Sequence, residues 1–343
     1  MSILFVTWAG GGNSTPVLGL ATRLARRGLA VKVVSPDDAS ERFGAVEIDY
    51  ELMSDLADVI ERVGPALVVV DFMIPSWMCT VEAFRASSGA LWVALVHTLY
   101  DRVAAGILTA FTTLDEINAQ RFSMGLDALV DAGELLDRAA RVLVTAPAEL
   151  DTAAPANGRH VGAVLEEPGP DAAWRPPAGD EPLVVVSPGT TQGLNEEPVV
   201  ERTLDAVGEL PVRAVVNVGA HVDSSAFRVP SNAIVTGYVR HAAVLPHAAA
   251  MVTHAGLGSI VAALSHGLPV VCLPLGRDQF HNASRVEAVG AGVTISADAS
   301  TTEIRDAIDR ILSEPSFAEA ARPFREVYDP TAQLAVEELE RLL

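Results

Sequence analysis

The sequence predicts an α/β protein built from two doubly wound parallel-sheet domains. Three observations predict it. Short runs rich in Val, Ile and Leu alternate with segments of helical period along the chain, the sequence form of strand–helix units wound around a parallel sheet. A segment rich in Pro, Gly and charge, EEPGPDAAWRPPAGDE (166–181), interrupts the alternation midway and has no apolar period. The length of 343 residues also exceeds one ordinary core, at roughly 150 residues per domain. The expected division is residues 1–165, a linker over 166–181, and residues 182–343, with the last helix able to pack back on the first domain.

In chain order, Ile3–Thr7 reads as the first strand. A glycine turn follows, then a helix over Pro16–Arg27 in which Val17, Leu20, Ala21 and Leu24 recur at helical spacing. Ser14 or Thr15 is placed to cap it, Pro16 suits its first turn and Gly28 stops it. Ala30–Val34, Ala66–Asp71, Leu91–Val96, Arg141–Thr145 and His160–Val164 are the further strands of the first domain. After the linker come Leu183–Ser187, Arg213–Asn217, Ala233–Thr236, Ala250–Thr253, Val270–Leu273 and Gly292–Ile295.

Half the residues are apolar and a fifth are charged, which suits sizeable cores and not a disordered tail. A formal charge of −20 argues against nucleic acid as a partner, and against an anionic membrane surface. Solubility is the plainer use of that acidity. Cys79 and Cys272 lie in apolar surroundings without a metal-ligand spacing and read as buried free thiols of a reducing compartment. The opening MSILFVTWAGGG shows no basic leader and no cleavage site, and its apolar run is too short to span a bilayer. A cytoplasmic location is expected.

Four stretches of the second domain could carry chemistry. In THAGLGSIVAAL (253–264) a strand runs through a glycine turn into a helix whose N-terminus is expected at Gly258–Ser259. Unpaired N–H groups and the positive end of the dipole make that mouth a phosphate site, with Gly256 and Gly258 permitting close approach and His254 adding an imidazole. A tight strand–helix turn alone would also use such glycines. PLGRDQFHNASR (274–285) places Asp278, Gln279 and Asn282 on the next carboxyl-end loop, suited to vicinal hydroxyls or simply to starting a helix. VVVSPGTTQG (184–193) supplies Ser187, Gly189, Thr190 and Thr191, and VTGYVRH (235–241) offers Tyr238 as a stacking face.

Together and in this order, these pieces resemble the C-terminal half of the nucleotide-sugar glycosyltransferases of GT-B fold that decorate bacterial natural products. The densest part is THAGLGSIVAALSHGLPVVCLPLGRDQFHNASRV; GGGNSTPVLGLATRLARRG and VLVTAPAELD extend the resemblance more loosely into the first half. It implies two Rossmann-like domains facing across a cleft, the donor held mainly by the second. By resemblance, His254, Gly256, Gly258 and Ser259 form the diphosphate cradle and Ser187, Gly189 and Thr190 its second wall. Tyr238 and Val239 match the base-binding position, and Asp278 and Gln279 the pair that holds the sugar hydroxyls. The implied reaction is inverting transfer of a sugar, a deoxysugar among the candidates, from dTDP or UDP to a small, largely apolar acceptor. It uses a nucleotide-sugar co-substrate, no cofactor and no metal, and no D-x-D pair is present. A homodimer is compatible with it.

The departures are informative. The family's histidine after the first strand, which deprotonates the acceptor, is Asn13 here, and an amide cannot act as a base. Its cradle-helix glutamate is Ala262, and its Pro-Gln pair is Arg240-His241. Asp71 matches the aspartate that orients the missing histidine; Asp71 and His97 are the candidate bases. The acceptor is expected near Phe72, Trp77, His97 and residues 103–122. The rival readings are an NAD-dependent oxidoreductase, a nucleotide-sugar epimerase and a catalytically silent partner protein. For the first, G-x-G-x-x-G fails at Thr15, although Asp37 or Asp38 could serve a ribose.

Overall fold

The computed structural model describes residues 2–8, 12–44, 46–104, 106–110, 112–165, 174–189, 197–218, 227–237, 239–329 and 332–343. The chain divides into two compact units, residues 1–166 with 329–343, and residues 167–328.

The first unit holds a sheet of seven strands: β1 (Ser2–Val6), β2 (Ala30–Ser35), β3 (Asp49–Leu52), β4 (Leu67–Asp71), β5 (Leu91–Val96), β6 (Arg141–Val144) and β7 (Gly158–His160). All pair in parallel, in the order β3-β2-β1-β4-β5-β6-β7. The winding direction reverses between β1 and β4, and ligands of such sheets sit at the carboxyl ends beside the reversal. Buried Val, Leu and Ile on β1, β2, β4 and β5 pack against Val17, Leu20, Ala21 and Leu24 of the helix Ser14–Arg26. The same core receives Ala335, Val336 and Leu339 from the last helix, Gln333–Glu340, which therefore belongs to the first unit.

The second unit has six parallel strands: β8 (Leu183–Ser187), β9 (Arg213–Asn217), β10 (Ala233–Thr236), β11 (Ala250–Thr253), β12 (Val270–Cys272) and β13 (Gly292–Thr294). Their order is β10-β9-β8-β11-β12-β13, with the reversal between β8 and β11. Val184, Val186, Val216 and Val252 pack against the helices Glu197–Gly208 and Thr301–Ser313.

Three expectations need correction. The strand β3, DYEL, was not anticipated: it is a polar edge strand with no apolar run, tied to β2 where Lys32 pairs with Asp49 and Glu51 at 2.9 and 3.2 Å. The strand expected at His160–Val164 is instead Gly158–His160. Its partner β6 ends at Val144, opposite His160; the Val161 N–H still donates to Val144 O at 2.9 Å, and Ala163 and Val164 contribute burial only. The first helix starts at Ser14 and not Pro16, with Asn13 at the N-cap, so neither Ser14 nor Thr15 caps it. The Asn13 side chain makes no cap bond: its Nδ2 donates to Asp71 Oδ2, and its Oδ1, the atom that could accept from the helix, does not bond the first turn.

Candidate functional site

Each sheet carries a polar cluster at the carboxyl ends of the two strands that flank its reversal. In the first unit Asp71 ends β4 and Asn13 follows β1, while His97 follows β5. Asp71 is 1% exposed, and both of its carboxylate oxygens are bonded. Oδ2 accepts from Asn13 Nδ2 at 3.0 Å; Oδ1 lies 3.0 Å from His97 Nε2 and accepts from the Met73 N–H at 2.9 Å. Asn13 Nδ2 also donates to Trp8 O at 2.8 Å, whereas Asn13 Oδ1 is buried without a partner among the described residues. The Phe72 ring meets His97 edge-on at 5.0 Å, an apolar brace for the imidazole. The structure thus unites Asn13, Asp71 and His97 around one buried carboxylate. The same unit contains a cavity of about 260 Å³ lined by Met73, Ile74, Ser76, Leu108, Ile117 and Gln120 among others. It begins at the residue whose N–H is held by Asp71.

In the second unit Ser187 ends β8, paired with Thr253 at the end of β11. The chain turns through Ala255 at φ 65°, a left-handed conformation unusual for a residue with a Cβ, and enters the helix Leu257–Ser265. Asn282 Nδ2 secures this turn by donating to Ala255 O at 3.1 Å. The His254 ring lies over Gly256, where a Cβ would stand 2.5 Å from His254 Nε2; only glycine leaves room for the imidazole at the helix entrance. The N–H groups of Leu257 and Gly258 lack intrahelical acceptors, and Gly258 is exposed. Burial pushes the His254 pKa below 6.5, against a hydrogen bond to the Ser187 main chain and the charge of Asp278. Burial thus favours the neutral ring, which has one N–H donor and one acceptor nitrogen, and its Nδ1 lies 3.2 Å from Thr253 Oγ1. Gly189, at φ 125°, bends the chain away after β8, and His241 Nε2 lies 3.2 Å from Ser187 Oγ.

These two clusters invite comparison with known proteins. Residues 201–342 match the family described as erythromycin biosynthesis protein CIII-like, C-terminal domain. The UDP-glycosyltransferase 2 of Phaeomoniella chlamydospora is 29% identical over 188 residues, which are 51% of this chain and 41% of that protein. Aklavinone 7-beta-L-rhodosaminyltransferase of Streptomyces galilaeus is 34% identical over 179 residues, 50% of this chain and 40% of that protein. The match therefore spans about two fifths of the length of these relatives. Among solved structures, the calicheamicin glycosyltransferase CalG4 superposes with a TM-score of 0.82 at 22% identity, over 100% of this chain and 98% of its own. The glycosyltransferase VinC in complex with dTDP gives 0.78 at 19% identity, over 100% and 99%. The chain has the GT-B fold.

Within the GT-B frame the remaining predicted residues can be placed. Ser259 is half-buried in the first turn of the helix Leu257–Ser265, whose N-terminus lies one to two residues before the expected Gly258–Ser259 because Gly256 serves as the N-cap. Its N–H bonds Gly256 O at 3.0 Å, so of its polar groups the N–H is already used within the turn. Asp278 precedes the helix Gln279–Ala288 and accepts from Asn282 Nδ2 at 2.9 Å. Gln279 is 3% exposed, and its Oε1 accepts from Leu275 N–H and Gly276 N–H at 2.7 and 3.0 Å, so the carbonyl end holds the loop. Val239 is clamped by Asn217, which donates to its carbonyl at 2.6 Å and accepts from its N–H at 3.3 Å. Thr190 and Tyr238 lie outside the described residues.

Sequence reasoning missed Asn217 and did not foresee the role of Asn282. Asn282 joins the cradle turn to the Asp278 loop, and its Oδ1 is buried without a partner among the described residues. A polar residue at a strand end was the only signal for Asn217. Among the described residues no group of three or more His, Cys, Asp and Glu is placed to hold a metal ion, and no helix is long and apolar enough to cross a membrane.

Proposed function

We propose that this chain is a glycosyltransferase of natural-product biosynthesis. It transfers a hexose or deoxyhexose with inversion from a dTDP- or UDP-sugar to a hydroxyl of a small, largely apolar acceptor. The observation that carries the reading is the placement of His254, over Gly256 and at the mouth of the helix Leu257–Ser265, beside the reversal of the second unit's sheet. The open N–H groups of Leu257 and Gly258, the Ser259 hydroxyl, the helix dipole and the His254 imidazole at the same mouth are the kinds of group a diphosphate uses. The names of the relatives support the class: one acts on aklavinone, and one structural neighbour binds dTDP.

In the reaction the acceptor oxygen attacks the anomeric carbon as the bond from that carbon to the diphosphate oxygen breaks. The electron pair leaves on the diphosphate, where His254 and the cradle N–H groups stabilise it without a metal ion. The acceptor proton passes to the His97–Asp71 pair: the imidazole takes it, and the buried carboxylate stabilises the imidazolium. Asn13 occupies the third place on that carboxylate as a donor, which fixes Asp71 without competing for the proton. Asp278 meets the sugar hydroxyls, with the N–H end of Gln279 beside it. The acceptor enters the cavity of about 260 Å³ next to Asp71.

Calorimetric titration with dTDP, UDP and GDP, alongside transfer from dTDP-glucose and UDP-glucose to a phenolic acceptor, tests the proposal. His254→Ala is expected to lower kcat about 10²-fold, the scale of one lost oxyanion donor. Gly256→Ala, which drives the ring out of place, should weaken nucleotide binding about tenfold or more. Unchanged turnover and affinity in both variants would remove the cradle. Sugar conversion without an acceptor would indicate an epimerase, and NADH binding an oxidoreductase.

A further inference from the structure

The first sheet carries a second histidine–aspartate pair on the same edge as Asp71 and His97. Val96, Val144 and His160 stand in register across β5, β6 and β7, so His160 ends the strand two places from the one that precedes His97. Asp151 follows the 3-10 turn Ala148–Leu150, and its side chain is 1% exposed. Its Oδ2 lies 2.9 Å from His160 Nε2 and accepts from the Tyr100 N–H; its Oδ1 accepts from the N–H groups of Asp101 at 3.0 Å and Thr152 at 2.9 Å. Burial pushes the Asp151 carboxyl up, but His160 and the peptide N–H groups outweigh it and hold the group below its usual value. Thr152 Oγ1 adds a tie to Asp101 Oδ2 at 2.8 Å.

An aspartate that merely closed its own loop would need only its bonds to Thr152 and Ala153. Asp151 also reaches back to Tyr100 and Asp101, which open the short helix Tyr100–Ala104 directly after the irregular stretch 97–99. The stretch is anchored upstream by β5 and downstream by this carboxylate. We propose that Asp151, seated by His160, is a positioning residue for His97: it fixes the turn that keeps His97 Nε2 on Asp71 Oδ1. The inference rests on the reading of Asp71 and His97 as the base. It requires that His97 carry its proton on Nε2, since the carboxylate can only accept.

The test combines imidazole ¹⁵N spectroscopy of labelled enzyme, with His97 assigned by loss in His97→Gln, and kinetics with dTDP-glucose and 4-methylumbelliferone. In the wild type the His97 shifts should report one fixed tautomer protonated on Nε2. In Asp151→Asn and Asp151→Ala they should move toward tautomer-averaged values. The kcat should fall about 10–100-fold, the scale of a base displaced by about 1 Å, with both KM values within about twofold. Asp151→Asn keeps the size and one acceptor oxygen, so it decides the matter if Asp151→Ala does not fold. An unaltered His97 tautomer in a folded Asp151 variant overturns the proposal. Full turnover by His97→Gln, with the tautomer still averaged in Asp151→Asn, removes the base reading and leaves the positioning role standing.

Discussion

Single residues decide both clusters, and two buried histidines tie the stability of the second unit to pH. His254 and His266 are both held below 6.5 in the folded chain, chiefly by burial, with Arg325 adding to the effect at His266. In the unfolded chain they return to that value and bind protons first as the pH falls. The unfolded state then carries more protons, so stability rises with pH inside this window. The contribution is complete above pH 6.5 and is lost as pH falls from 6.5 toward the folded-state values. Urea midpoints measured from pH 7.5 to 5 should decline below 6.5, and the decline should be shallower in His254→Gln. A slope identical in wild type and variant would mean that the ring is not buried neutral. The turn that carries His254 was legible in the sequence because strand, glycine turn and helix follow one another within residues 250–265. The residues that brace the clusters were not. Asn217 grips Val239 from 22 positions away, Asn282 grips Ala255 from 27, and Asp151 grips Tyr100 from 51. No local pattern announces such partners.

At the scale of elements, the last helix is the most consequential. Ala335, Val336 and Leu339 are fully buried in the first unit's core, and Glu338, 4% exposed, holds ion pairs with Arg141, Arg159 and Arg341. Leu339→Ala should cost about 2–5 kcal/mol, the range for a buried leucine deleted into a tight core. A thermal-melt shift confined to a minor step, or no shift, would show that the helix is not integral to that unit. Strands such as Leu91–Val96, Leu183–Ser187 and Ala250–Thr253 were readable because a central parallel strand is buried on both faces and so is apolar throughout. An edge strand such as β3 lacks that signature, since none of its four residues is fully buried and Lys32 supplies its cross-strand contacts.

For the whole molecule, the formal charge of −20 bears on a doubly charged ligand. On the proposed reading that ligand is a nucleotide sugar, which the net charge repels at long range while N–H groups at the helix mouth attract it locally. The screening length shrinks from about 30 Å at 0.01 M salt to about 8 Å at 0.15 M, which suppresses the distant repulsion more than the contact. The KM for the donor should therefore fall as salt rises through that range. A steady increase instead would mean that nearby basic groups dominate the encounter.

The path of the backbone has a practical corollary. The polypeptide leaves the first unit after residue 166 and returns to it at 329, so the second unit is an insert with two seams. On the proposed reading, in which the second unit holds the donor, swapping sugar preference between relatives calls for a cassette cut at both seams. A hybrid joined once would inherit a foreign tail, and the arginines at 141 and 159 would meet whatever that stranger carries in place of Glu338.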